Sequence, residues 1–211
     1  MCLFIETLRI EDGKVWHASL HDRRMNDTRR AFFGPVPDLY VCDYLRPEAY
    51  TARTRCRLTY TRDVIRVEYF PYHVRPVHSL QLVVQDDIDY RYKQADRRVL
   101  DEAFALRDTA DDVLIVRHGL LTDTSIANIA LWDGCEWHTP AQPLLAGTQR
   151  RYLLDTGQIK RNGHPGRLPR KLPAYPSVQC PDTLRRSGTP RRADTYVLDS
   201  AWPLIPPARN C

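Results

Sequence analysis

Four places in this 211-residue chain carry side chains whose type and spacing could do chemistry together. Lys93 sits in D-Y-R-Y-K-Q-A-D-R-R, flanked by Tyr90 and Tyr92, just ahead of a helix-like run. A lysine that is partly buried near other positive charge becomes a neutral amine able to condense with a carbonyl. Asp123, in L-L-T-D-T-S-I-A-N-I-A-L, follows a turn after a buried strand, where a carboxylate can pair with a protonated ring nitrogen. Gly147 opens a helix, and the amides of Thr148 and Gln149 with the helix dipole make an anion site. Arg24, on an earlier helix, offers the fixed charge that a phosphate wants. Taken singly, Lys93 also suits a surface lysine in a polar linker, Asp123 a turn aspartate capping its own backbone, and Arg24 a solvated arginine.

The elements that must position these residues are legible as periodicities. Phe4, Glu6 and Leu8 alternate with Ile5, Thr7 and Arg9, which predicts a strand. E-D-G at 11–13 turns it back into K-V-W-H-A as a hairpin. Ser19 is placed to cap a helix from about Leu20 that carries His21, Arg24, Met25 and Thr28. Residues 38–50 read as irregular or helical, with Pro47 as a break. Three strands are predicted from R-C-R-L-T-Y-T, V-I-R-V-E-Y-F and S-L-Q-L-V-V. A helix through Leu100, Ala103, Phe104 and Leu106 then leads to the buried strand V-L-I-V. Two further strands, I-A-N-I-A-L-W and E-W-H-T-P, precede the helix T-Q-R-R-Y-L-L-D-T, which Gly157 closes. Two αβ domains are expected, 1–86 and 93–159, joined by a linker at 87–92.

Composition narrows the function classes. Hydrophobic residues are 43% and charged residues 27%, ordinary for a globular protein, and no apolar stretch is long enough to span a bilayer. Six cysteines without a C-x-x-C pair indicate neither a disulfide framework nor a metal site; buried thiols in a reducing cytosol are expected. The net charge of +5 is concentrated beyond residue 159, where ten Lys or Arg face three acids and nine of the sixteen prolines fall. The first 159 residues carry −2. Residues 160–211 are therefore expected to be a disordered basic tail. With few aromatics there, nucleic-acid binding is not supported, although a binding protein using that tail is a reading of another class.

In order and spacing, these motifs resemble the class IV aminotransferases. I-E-T-L-R and H-D-R-R are similar to that family's F-E-T-x-R and H-x-x-R, L-T-D-T-S-I-A-N to V-T-E-G-S-S-S-N, and G-T-Q-R to G-I-T-R. The resemblance implies a two-domain α/β (α+β) fold of fold-type IV, D-amino-acid aminotransferase-like, with pyridoxal 5'-phosphate held between the domains. It implies Lys93 as the lysine that holds the cofactor aldehyde and Arg24 on the phosphate. Asp123 takes the place of the usual glutamate, with Ser125, Ala127, Asn128, Thr148 and Gln149 as further cofactor contacts and Thr7 and Arg9 as substrate contacts. A small amino substrate, a homodimer and a cytoplasmic location follow from the same resemblance. The implied reaction is a lyase converting 4-amino-4-deoxychorismate into 4-aminobenzoate and pyruvate; transamination of a branched-chain or D-amino acid is the alternative. Beyond residue 160 the family pattern stops. A permissible back-translation of 160–181, read one nucleotide over, gives a string containing L-F-N-A-L, so a shifted reading frame is expected there; a natural basic tail is the other reading.

Overall fold

The computed structural model describes residues 2–73, 75–133 and 135–161, together with the backbone of 178–179 and 195–198. The chain divides into two compact units, residues 1–74 with 92–97, and residues 75–91 with 98–211.

The first unit is built on an antiparallel sheet in the order β2-β1-β3-β4. Its strands are β1 (Phe4–Glu11), β2 (Lys14–Val15), β3 (Thr54–Tyr60) and β4 (Val64–Pro71). The hairpin turn at Asp12–Gly13 has positive φ at both residues (51° and 70°), the conformation that Asp-Gly favours in a two-residue turn. Phe4, Leu8 and Ile10 of β1 and Cys56, Leu58 and Tyr60 of β3 point to one side. There they pack with Met25, Val41 and Leu45. The helix α1 (Ala18–Phe33) starts two residues earlier than expected, and Ser19 lies inside it. The residue before its first turn is His17 in the left-handed conformation, φ 55°, so the chain turns sharply into the helix without a side-chain cap. Pro47 opens a 3-10 turn (Pro47–Ala49) where a break was expected, because proline suits the first helical position.

The second unit holds two sheets. In one, β5 (Ser79–Val84) and β6 (Asp112–Arg117) are parallel neighbours, with β7 (Leu120–Leu121) antiparallel to β6. The helix α2 (Arg98–Ala105) lies in the connection between β5 and β6. Strand β6 is buried on both faces: Val113 and Ile115 pack with Leu100 and Ala103 of α2, and Leu114 and Val116 with Leu80 and Ile129. That double burial is why V-L-I-V is continuous rather than alternating. The other sheet contains β8 (Asn128–Trp132), β9 (Trp137–Thr139) and β10 (Lys160–Arg161); α3 (Thr148–Asp155) packs Leu153 with Ala130, Trp132 and Trp137.

Several expectations are corrected. The boundary does not fall at 86: β5 pairs along its length with β6, so it joins the second unit, and residues 92–97 return to the first. The thiols are not generally buried, since Cys2, Cys42 and Cys135 are exposed and Cys56 alone of the described cysteines is buried. Three short segments of residues 160–211 fall among the described residues. Lys160–Arg161 pairs with β9, Val178–Gln179 forms β11 beside β5, and Thr195–Leu198 forms β12 along β8. The expected disorder of the rest of 160–211, and the expected frame shift, fall outside the described residues. Among the described residues no helix is long and apolar enough to cross a membrane.

Candidate active site

In the first unit the chemistry gathers behind β1. Glu6 occupies an inward phase of the strand alternation and is fully buried among apolar neighbours. Residues 21 and 24 of α1 stand one turn apart on a common face and both reach it. Arg24 donates from Nε to Glu6 Oε1 at 2.9 Å and from Nη2 to Oε2, and His21 Nδ1 lies 2.6 Å from Oε2. Burial pushes the Glu6 carboxyl up, but Arg24 and His21 outweigh it and hold it down at about 2. His21 is itself pushed below its usual range by burial, against the pull of Glu6, with Arg24 and Lys93 adding repulsion. Arg24 is thus oriented by a charged, two-point contact and not left to solvent.

Lys93 belongs to the same unit. Its carbonyl accepts from Ile5 N at 2.9 Å, Ala95 N donates to Leu3 O at 2.8 Å, and Gln94 bridges Phe4. Residues 93–95 therefore run beside the start of β1, with Tyr92 packed edge-on against Phe32. The half-buried Lys93 side chain lies close enough to His21 for its charge to be felt there. Of the two expected substrate contacts, Thr7 and Arg9 share the face of β1 opposite Glu6. Arg9 is engaged: its guanidinium binds Glu11 and lies 4.0 Å over the Trp16 ring.

In the second unit a different carboxylate is buried. Asp123 is 4% exposed, and burial pushes its carboxyl up to about 6 despite the donors around it. Asn128 Nδ2 donates to its Oδ1 at 2.9 Å and Leu145 N to its Oδ2 at 2.9 Å. Asn128 Nδ2 also donates to Leu145 O at 2.8 Å, closing a three-residue knot between the end of β7, the start of β8 and the approach to α3. The loop between is held by Thr124, which accepts from Ile126 N and Ala127 N, and by Asp112, which accepts from Ser125 N at 3.3 Å. Ser125 is buried and Ala127 half-buried. Gly147, in an extended conformation, starts α3, and Thr148 and Gln149 are each 7% exposed in its first turn. A Cβ on Gly147 would stand 2.0 Å from Asn128 Oδ1, so glycine is required if Asn128 is to hold Asp123.

The donor set fits pyridoxal phosphate. Asp123 is a buried carboxylate met by neutral donors and with a raised pKa, so a cation such as a protonated ring nitrogen suits it as a partner that relieves its burial. Within the first unit Arg24 suits a phosphate and Lys93 an aldehyde; within the second the first turn of α3 suits an anion. The structure places Arg24 and Lys93 together in one unit, and Asp123, Ser125, Ala127, Asn128, Thr148 and Gln149 together in the other. Sequence reading missed Glu6 and His21. Their signal was an acid in the apolar phase of β1 and a His three residues before Arg24.

With this geometry in hand, known proteins give it a context. The sequence matches the family described as Amino-transferase class IV over residues 3–162, and the chain belongs to that family. Its two-unit α/β fold is that of fold-type IV enzymes. An "Uncharacterized protein" of Haemophilus influenzae is 35% identical over 159 residues, 74% of this chain and 85% of its own. The "Putative aminodeoxychorismate lyase" of Schizosaccharomyces pombe is 28% identical over 166 residues, 70% of this chain and 71% of its own. Among solved structures, the "putative 4-amino-4-deoxychorismate lyase" of Haemophilus somnus superposes with a TM-score of 0.71 at 28% identity, covering 76% of this chain and 87% of that one. A hypothetical aminotransferase from Mycobacterium tuberculosis, solved in a PLP-bound form, shares the fold at 18% identity with a TM-score of 0.60, covering 76% of this chain and 70% of its own.

Two outcomes follow. Glu6 has a folded pKa depressed from 4.5 to about 2, so its stabilisation is present above 4.5 and lost as pH falls toward 2. That shift corresponds to about 3 kcal/mol. Glu6→Gln should flatten this acid limb and lower stability at pH 7 by roughly 3 kcal/mol, because Arg24 loses its countercharge. Urea titrations at a series of pH values measure both effects. Gly147→Ala must displace Asn128 from Asp123 and should cost about 1–3 kcal/mol, with weaker cofactor binding. A melting curve and a cofactor titration that match the parent protein would show that the contact relaxes freely.

Proposed function

We propose that this chain is a pyridoxal-phosphate-dependent lyase that converts 4-amino-4-deoxychorismate into 4-aminobenzoate and pyruvate. Support for the cofactor is family membership together with the buried, cation-seeking carboxylate of Asp123. Support for the reaction is the 28% identity to two proteins that bear the lyase name, one of them matched over 87% of its length. A homodimeric, cytoplasmic enzyme is the accompanying proposal.

When bound, the cofactor supplies an electron sink at the carbon that carries the substrate amine. Arg24, oriented by Glu6, would offer a phosphate contact, and so would the first-turn amides of Thr148 and Gln149. Asp123, fixed by Asn128 and Leu145, keeps the ring nitrogen protonated, and Ser125 and Ala127 line the same loop. Lys93 would hold the cofactor aldehyde, and its amine, when free, would take the proton from the amine-bearing carbon of the substrate. The C–O bond to the enolpyruvyl group breaks with its electron pair going to oxygen. The departing enolate would take one proton at its methylene carbon and become pyruvate, leaving the ring aromatic. Thr7 lies on the sheet face assigned to the substrate.

The direct assay is 4-aminobenzoate fluorescence on adding 4-amino-4-deoxychorismate to the cofactor-loaded protein. Amino-group transfer from an amino acid to a 2-oxo acid without 4-aminobenzoate formation would replace this reading with transamination. Borohydride reduction and peptide mapping should find the cofactor on Lys93, and Lys93→Ala should abolish the labelling; label on another lysine refutes the assignment. Asp123→Asn should keep the cofactor on Lys93 but lose roughly 10²-fold or more in turnover, because an amide cannot hold the ring nitrogen protonated. Unchanged turnover would reduce Asp123 to a structural turn residue.

A further inference from the structure

The last residue of G-T-Q-R has no part in the chemistry above, yet among the described residues of the second unit it is the buried cation. Arg150 is 5% exposed in the first turn of α3, and its guanidinium is tied to neutral acceptors at the end of β9. Nε donates to Thr139 Oγ1 at 3.0 Å and Nη2 to the Pro140 carbonyl at 2.7 Å. Asp123, equally buried, is tied to neutral donors, Asn128 Nδ2 and Leu145 N among them. A buried charge met in direct contact by neutral groups keeps part of its desolvation cost. The two opposite charges come near each other around one point. A Cβ on Gly147 would stand 2.0 Å from Oδ1 of Asn128, the residue that holds Asp123, and 3.9 Å from the Arg150 Cβ. In a buried, low-dielectric setting, opposite charges attract across such a gap without touching. Burial raises the Asp123 carboxyl, and Arg150 is the charge that pulls it back down. Burial lowers the Arg150 guanidinium, Asp123 pulls it back up, and Arg161 and Arg151 add repulsion.

We propose that Arg150 is the internal countercharge of Asp123 and, through it, a positioning residue for the cofactor, keeping the carboxylate charged for the ring nitrogen. The inference rests on the reading above, in which Asp123 meets that nitrogen. The contacts of Arg150 with Thr139 and Pro140 are what make such a role useful. A cation that reached the carboxylate would pair with it directly, as Arg24 does with Glu6, and would take the place of a ligand. Held on other acceptors, Arg150 lends its charge to Asp123 and leaves the carboxylate to neutral donors that a cationic ligand can outbid.

The test uses the full chain with Arg150→Gln, which is neutral but can still donate to Thr139 or Pro140, and Arg150→Lys, which keeps the charge. Affinity for pyridoxal phosphate is measured by absorbance across a range of pH. In the parent it should fall as pH drops through about 6, where Asp123 takes up a proton. Arg150→Gln should move that midpoint up by roughly one pH unit or more, while Arg150→Lys leaves it near the parent's. Titration of the free cofactor is common to all three proteins, so the shift between them is the readout. A role in holding the fold alone would lower affinity by one factor at every pH, and an unmoved midpoint in Arg150→Gln would overturn the inference.

Stability of the cofactor-free chain is the second measurement. The folded pKa of Asp123 is raised from 3.8 to about 6, so its contribution is full below 3.8 and is lost as pH rises through 6. Removing Arg150 carries that loss on to higher pH. The urea midpoint of Arg150→Gln should therefore fall further below the parent's at about pH 8 than at about pH 5. Adding Asp123→Asn should recover much of the gap at the higher pH, because the uncompensated carboxylate is then gone. A gap independent of pH, or a double variant no more stable than Arg150→Gln, sinks the proposal even where the single variant folds poorly. Coupling in stability without an acid limb in the parent's cofactor affinity would instead overturn the placing of Asp123 on the ring nitrogen. Neither measurement depends on which reaction the loaded protein catalyses.

Discussion

The second unit is organised around a carboxylate that burial makes costly to ionise. Asp123 is held by neutral donors, chiefly the Asn128 amide and the Leu145 N–H, with the charge of Arg150 acting on it from further off. Those two contacts dictate much of what surrounds them. Asn128 must turn its amide inward at the first residue of β8, so the strand begins there. The chain before α3 must bring Leu145 close, and the next turn must pass so near Asn128 that residue 147 has no room for a side chain. The parallel β5–β6 pair and its flanking cores hold β7, and hence Asp123, at the right depth. Packing here serves a polar group that could not be buried alone.

The first unit answers the same cost in the opposite way. Glu6 is as deeply buried as Asp123, yet it is given a guanidinium and an imidazole by adjacent turns of one helix. Its charge is satisfied internally, and the benefit passes to Arg24, whose rotamer is fixed by two donors. The cost of ordering a long flexible side chain is therefore met in folding and not at ligand binding.

Much of this was legible in the sequence, and the exceptions have physical causes. The alternation of β1, the Asp-Gly turn, the doubly buried β6 and the Gly147–Gly157 bounds of α3 are local patterns, and the structure follows them. Ser19 misled because capping chemistry is only a preference, and a left-handed His17 sets the start of α1 instead. The assignment of β5 to the first unit failed because strand pairing is a non-local choice: Ser79–Val84 looks the same whether it extends the first sheet or runs parallel to β6. Of the site, residues that fit a motif could be named from sequence. Glu6 stood inside such a motif, but its role did not show there, because its pairing depends on a helix crossing behind the strand.

Aspartate at 123, where the resemblance leads one to expect glutamate, is shorter by one methylene and has one fewer rotatable bond to freeze. Two fixed donors hold its fork, so its direction is set by the backbone of residues 122–124 and by Asn128 rather than by its own flexibility. The two buried carboxylates then diverge as electrostatics requires. The one saturated with cations is held at about 2, and the one offered neutral donors rises to about 6. A group poised near neutrality in that manner gains most from an arriving positive charge, because pairing restores the ionised form that burial opposes. Glu6, already paired, has nothing comparable to gain. The difference between them separates a carboxylate balanced by cations in direct contact from one met by neutral donors.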